Sequence, residues 1–131
     1  MKDFKKSFII KALPQDVYAA LTNPSILEIW TGEEAVMEEV AGTEFSWWSG
    51  DICGKNIEFE AGKKIVQQWY FDDEETDTPS IVTLKFHPDK KGTSFEIKQS
   101  NIPDEVFDNI SEGWEDVIVE SLRDLLEEDE D

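Results

Sequence analysis

The feature that most constrains this chain is an apolar stripe near its C-terminus. Val106, Phe107, Ile110, Trp114, Val117, Ile118, Ser121, Leu122 and Leu125 recur at steps of three and four, the spacing of one helix face. It predicts a single long helix over residues 103–127. So wide an apolar face must be covered, and the preceding segments, rich in Trp, Phe, Ile and Val with period two, predict the sheet that covers it. Gly113 falls inside the helix, where glycine costs about 1 kcal/mol relative to alanine. A kink or a close helix-to-sheet contact is therefore expected there.

Upstream, residues 4–11 read as a first strand. Pro14 then suits an opening helical position, and Val17, Tyr18 and Leu21 make a short amphipathic helix through Thr22. Asn23 is placed to cap a second short helix that opens at Pro24, carries Ile26, Leu27 and Trp30 inward, and ends at Thr31-Gly32. Alternation then predicts strands at 35–39, 44–48, 55–60, 64–71, 80–87 and 93–100, joined by short turns that favour an antiparallel meander. The inward rows are Phe45 with Trp47, Ile57 with Phe59, Ile65 with Trp69 and Phe71, Val82 with Leu84 and Phe86, and Phe95 with Ile97. The whole is an α+β fold: a curved antiparallel sheet of about six to seven strands wrapped around a long C-terminal helix, with two short helices after the first strand. Residues 1–127 form one domain, and 128–131 are an acidic tail that should fray.

Charge narrows the function classes. With 31 acidic and 12 basic residues the net charge is -19, which repels phosphate backbones and anionic membranes, so nucleic acid is not an expected partner. Cys53 is the only cysteine, which excludes an intrachain disulfide and favours a reducing, cytoplasmic setting. The apolar run at Phe8, Ile9 and Ile10 is too short for a signal core or a membrane span. One histidine, His87, cannot furnish a two-histidine metal site, and a nucleophilic triad is hard to build around it. The acidic segment 72–77 lacks the alternating ligands and central glycine of an EF-hand loop. No metal, cofactor or catalytic set is expected.

The order of elements resembles the helix-grip fold of the START-like (SRPBCC) superfamily. More narrowly, the chain is similar to the family named for activators of the heat-shock protein 90 ATPase. The resemblance rests on PQDVYAALTNP leading to Trp30-Thr31-Gly32, the AGTEFSWWSGDICGKN hairpin, KKIVQQW, GTSFEIKQSNIP, and Gly113-Trp114. Where many relatives carry a basic residue after the strand tryptophan, this chain has Tyr70 and then acidic residues. The eukaryotic activators also carry an N-terminal chaperone-binding domain, which these 131 residues are not expected to include. The superfamily it implies includes ligand binders, transfer proteins and enzymes.

The aromatic set carries the functional expectation. Trp30, Phe45, Trp47, Phe59, Trp69, Phe95, Phe107 and Trp114 should converge between sheet and helix, together with Leu84, Ile97, Ile110 and Ile118. Such rings either fill a core or line an apolar pocket. Gln67 and Gln99 stand on predicted inward rows; a buried amide needs partners that a ligand or water could supply, whereas at a strand end it would point to solvent. The leading reading is a non-catalytic, monomeric domain that holds a small hydrophobic or amphipathic ligand in this cavity. The alternative is a protein-interaction module or chaperone co-regulator. A polyketide-cyclase type of enzyme comes last.

Overall fold

The computed structural model describes residues 1–71 and 77–127. Strand β1 (Lys2–Ile10) leads into helices α1 (Pro14–Thr22) and α2 (Pro24–Thr31), followed by β2 (Glu44–Trp47), β3 (Ile52–Glu60), β4 (Lys64–Trp69), β5 (Ser80–Asp89) and β6 (Gly92–Ile102). The strands form one antiparallel sheet in the order β1-β6-β5-β4-β3-β2. The chain therefore meanders from β2 to β6 and closes by laying β1 beside β6. The C-terminal helix follows as a 3-10 turn (Asp104–Val106), α3 (Phe107–Glu112), a π-helical turn (Gly113–Ile118) and α4 (Val119–Leu126).

The two short helices start where proline and asparagine direct them. The Asn23 side chain accepts from the amides of Ser25 and Ile26, and Gly32, at φ 76°, ends α2 in the left-handed conformation that glycine adopts without penalty. Residues 35–39, expected as a strand, instead form a loop. Its one sheet-like contact is the bridge of Val36 to Ser46, because Ala35 and Met37 turn into the core while the Ala35 amide donates to the Glu28 carboxylate. The sheet accordingly has six strands among the described residues. The second strand stops at Trp47: Trp48 and Ser49 both take positive φ, 52° and 53°, and reverse the chain sharply.

Two inward assignments are overturned by local irregularities. Ile57, expected beside Phe59 on the core face, is 41% exposed, because a bulge between Asn56 and Glu58 shifts the β3 register against β4. Asn56 turns inward in its place. In the C-terminal helix, Val117 is 46% exposed while Val119 is fully buried. The π turn explains this: the Val119 amide donates to the Trp114 carbonyl five residues back, and the wider turn advances the phase of everything after it. It also takes the place of the kink expected at Gly113. No close contact exists there either, since a methyl group on Gly113 would meet nothing within 4 Å. The predicted acidic segment falls largely on residues 72–76 and the tail on 128–131; both lie outside the described residues.

Candidate functional site

The core between sheet and C-terminal helix is built on two amides and a ladder of indoles. Gln67 on β4 and Gln99 on β6 are both fully buried, on the inward rows where alternation places them. The Trp114 indole N–H donates to Gln99 Oε1 at 2.9 Å, and Gln99 Nε2 donates to Ser80 Oγ at 3.0 Å. The Ser80 hydroxyl passes the chain on to the Ser100 carbonyl. On β4, one strand beyond β5, the Trp69 indole N–H donates to Gln67 Oε1 at 3.1 Å, and Gln67 Nε2 to Asn56 Oδ1 at 3.1 Å. Asn56 Nδ2 in turn reaches the Glu38 carbonyl and Thr43 Oγ1. Each amide thus finds a donor and an acceptor within the protein, which offsets the cost of burying it.

The rings join these two networks. Trp69 stacks on Trp114 with centroids 5.1 Å apart. Trp47 meets Trp69 edge-on at 6.1 Å and Trp30 at 6.0 Å, and Trp30 meets Trp48 at 5.5 Å. Phe45 tilts against Trp47, and Phe95 stacks on Phe86. Of the remaining predicted cavity residues, Leu84, Ile97 and Ile118 are buried, whereas Phe59, Phe107 and Ile110 are half-buried and pack against the core. Trp30 is also half-buried, its N–H donating to the Ala20 carbonyl. The buried Trp47 N–H alone lacks a hydrogen-bond partner among the described residues.

Asn56 and Ser80, which complete the networks, were not singled out by sequence. Asn56 could not be, since the bulge that turns it inward leaves no mark in the period-two pattern. Ser80 opens β5 directly opposite Trp69, and strict alternation from Val82 would have placed it inward.

At the margin of the core, the buried Tyr18 on α1 donates its hydroxyl to Glu39 Oε2 at 2.6 Å. Burial, then the hydrogen bond to Glu39 and its negative charge, push the phenol well above its usual range. The folded state therefore favours the protonated phenol, and the associated stability is fully present below the unfolded value of about 10 and is lost as pH rises beyond it. In an alkaline titration followed by tyrosinate absorbance, Tyr18 should ionise late, together with unfolding. Tyr18→Phe should abolish that late step; an unchanged titration would show that the phenol is not held in this way.

Among the described residues no three His, Cys, Asp or Glu side chains converge as a metal site, and no helix is long and apolar enough to cross a membrane.

A curved antiparallel sheet closed by a C-terminal helix, with two short helices after the first strand, defines a helix-grip, START-like domain. Within that class the chain belongs to the family described as Activator of Hsp90 ATPase homolog 1-like protein, whose model matches residues 11–127. It is 34% identical over 84% of its length to a Dictyostelium discoideum protein named Activator of 90 kDa heat shock protein ATPase homolog, of which the match covers 29%. The chain thus spans about a third or less of the curated relatives it matches. In fold it is similar to a crystal structure of an HSP90 activator from Plasmodium falciparum, with TM-score 0.85 at 24% identity, covering 95% of this chain and 96% of that one. It is also similar to the solution structure of an Aha1 dimer from Colwellia psychrerythraea, with TM-score 0.83 at 21% identity and 97% of each chain covered.

Proposed function

We propose that the domain is a protein-interaction module that acts as a co-regulator of a 90 kDa heat-shock-type chaperone, at work in the cytoplasm and monomeric when free. The observation that carries this reading is the 34% identity, along most of the chain, to a relative named for activating that ATPase. The internal pairing of both buried amides supports it, because the interior polar groups are then used for structure and recognition moves to the surface. The test is to titrate the purified chain into such a chaperone while following binding calorimetrically and ATP turnover. Saturable binding with a saturable change in turnover is expected. Absence of association at about 100 μM, weaker than roughly -5.5 kcal/mol, would remove the reading.

A second reading, a small hydrophobic ligand held beneath the C-terminal helix, draws on one observation: the buried Trp47 N–H without a partner. Such a donor could serve a ligand acceptor amid the aromatic wall. Native mass spectrometry of the chain purified from its own host tests it, and a spectrum at the bare protein mass would count against it. The same spectrum gives the oligomeric state. Gln67→Leu would be a poor probe of selectivity, since it strips partners from both Trp69 and Asn56.

A further inference from the structure

Helix α2, the loop 32–43, strand β2 and the turn Trp48–Gly50 follow one another in the chain, and four contacts fold them into one surface. The Ala35 amide donates to the Glu28 carboxylate of α2 at 3.1 Å, and Val36 bridges Ser46 on β2, the last strand of the sheet. The Ser49 amide donates to the Glu34 carbonyl at 3.0 Å, and Trp48 meets the Trp30 ring edge-on at 5.5 Å. Ile29 and Val36 directly follow the joined residues Glu28 and Ala35, and they are 67% and 55% exposed. With the half-buried rings of Trp30 and Trp48, they bring apolar side chains from the helix and the sheet edge to the same face, whereas exposed apolar residues scattered singly are ordinary. Trp48 and Ser49 hold φ of 52° and 53°, a conformation that bulky side chains seldom adopt. The turn thus spends strain to keep an indole at the surface.

Around these residues the charge is of one sign. Residues 12–54 contain eight carboxylates and neither lysine nor arginine. Glu28, Glu33, Glu34 and Glu38 lie on α2 and the loop, and Asp51 closes the turn. None of these five is in an ion pair among the described residues. The cations that approach from other elements are few. Lys55 stands opposite Glu44 across β2 and β3, and Lys63 shares a groove with Glu39. Arg123 of α4, the helix packed against α2, is held by Glu120 and the Ile9 carbonyl. Seven carboxylates against two lysines therefore leave this face five charges negative.

We infer that this face docks a basic amphipathic segment of a protein partner, its lysines or arginines against Glu28, Glu33, Glu34 and Glu38 and a large apolar side chain over Ile29 and Val36. The inference rests on the reading of the domain as a protein-interaction module and adds the chemistry of the segment it grips. Exposed carboxylates alone would draw any cation weakly and without selection, and the apolar contact supplies the discrimination. Phosphate backbones and anionic membranes are repelled by the same field.

The test uses the full chain and three fluorescent peptides of matched length, an amphipathic Lys/Leu peptide, a Lys/Ser peptide and a Gln/Leu peptide, read by anisotropy. The Lys/Leu peptide should bind at least roughly tenfold more tightly than either of the others. Glu33→Gln/Glu34→Gln should weaken it roughly tenfold. Glu105→Gln/Asp108→Gln, an equal change of charge at the start of the C-terminal helix, should alter it less than about twofold. Ile29→Ser/Val36→Thr should weaken the Lys/Leu peptide and leave the Lys/Ser peptide unchanged. All six positions are exposed, so thermal melts of the variants should match wild type. Equal binding of the Lys/Leu and Lys/Ser peptides, no binding of any peptide, an equal loss in the helix variant, or displacement by spermine as tightly as by unlabelled peptide would each overturn the inference. The last would reassign the face to small polycations. If the wild-type chain binds the chaperone and Glu33→Gln/Glu34→Gln and Ile29→Ser/Val36→Thr both bind it equally well, the docking proposal falls while the co-regulator reading stands. If the wild-type chain does not bind the chaperone, the co-regulator reading falls whatever the peptides do.

Discussion

Trp114→Ala is expected to lower the free energy of unfolding by about 5 kcal/mol. Truncating a buried large ring costs about 3–5 kcal/mol through lost transfer energy and the cavity left behind. Gln99 Oε1 would in addition lose the donor that satisfies it, a further penalty of about 1–3 kcal/mol. Against a total stability of roughly 5–15 kcal/mol for a domain of this kind, the variant should be partly unfolded or melt far below wild type. Trp114→Phe should fall between, at about 2 kcal/mol, because it keeps part of the stack on Trp69 while losing the N–H and the volume of one of the two fused rings. Urea denaturation of the three proteins measures both steps. A loss below about 2 kcal/mol for the alanine variant would mean that this ring does not hold the helix on the sheet.

Gly54→Ala should be comparably damaging for a different reason. A methyl group on Gly54 would lie 1.9 Å from the Gln68 carbonyl oxygen and 3.0 Å from the Phe45 ring. The oxygen belongs to the β4 backbone, so no side-chain rotation relieves the clash, and β3 and β4 must part where Gly54 pairs with Trp69. Overpacking in a tight interior costs about 1–3 kcal/mol, occasionally more; with backbone on the far side, about 3 kcal/mol is the expected minimum. Because β3 is the one strand beside β2 among the described residues, hydrogen exchange should rise along β2, β3 and β4 together. A variant as stable as wild type, or exchange confined to Gly54 itself, would contradict this close approach.

These two positions illustrate what could be seen in the sequence and what could not. Helices α1 and α2 were legible to their ends because Pro14, Asn23, Pro24 and Gly32 act locally, through fixed φ, a side-chain acceptor and a left-handed terminus. Gln67 and Gln99 stood out because strict alternation carries polar residues inward only at unusual places. Alternation failed wherever the backbone gained a residue. The bulge at Asn56 exchanged it with Ile57, and the π turn exchanged Val119 for Val117. Neither has a compositional signal, since each is fixed by long-range packing.

The unbroken succession of indoles from Trp48 through Trp30, Trp47 and Trp69 to Trp114 takes in all five tryptophans of the chain. At centroid separations of 5.1–6.1 Å, light absorbed by one ring is handed to the next before it is emitted. The five rings are therefore expected to emit as a coupled set rather than as five independent probes. The stacked pair in the middle of the fold should give a strong near-ultraviolet circular dichroism couplet that vanishes when the C-terminal helix lifts away, while the half-buried Trp30 and Trp48 sample the solvent side. Helix release and events at the protein's edge could then be followed in unlabelled protein, by colour alone.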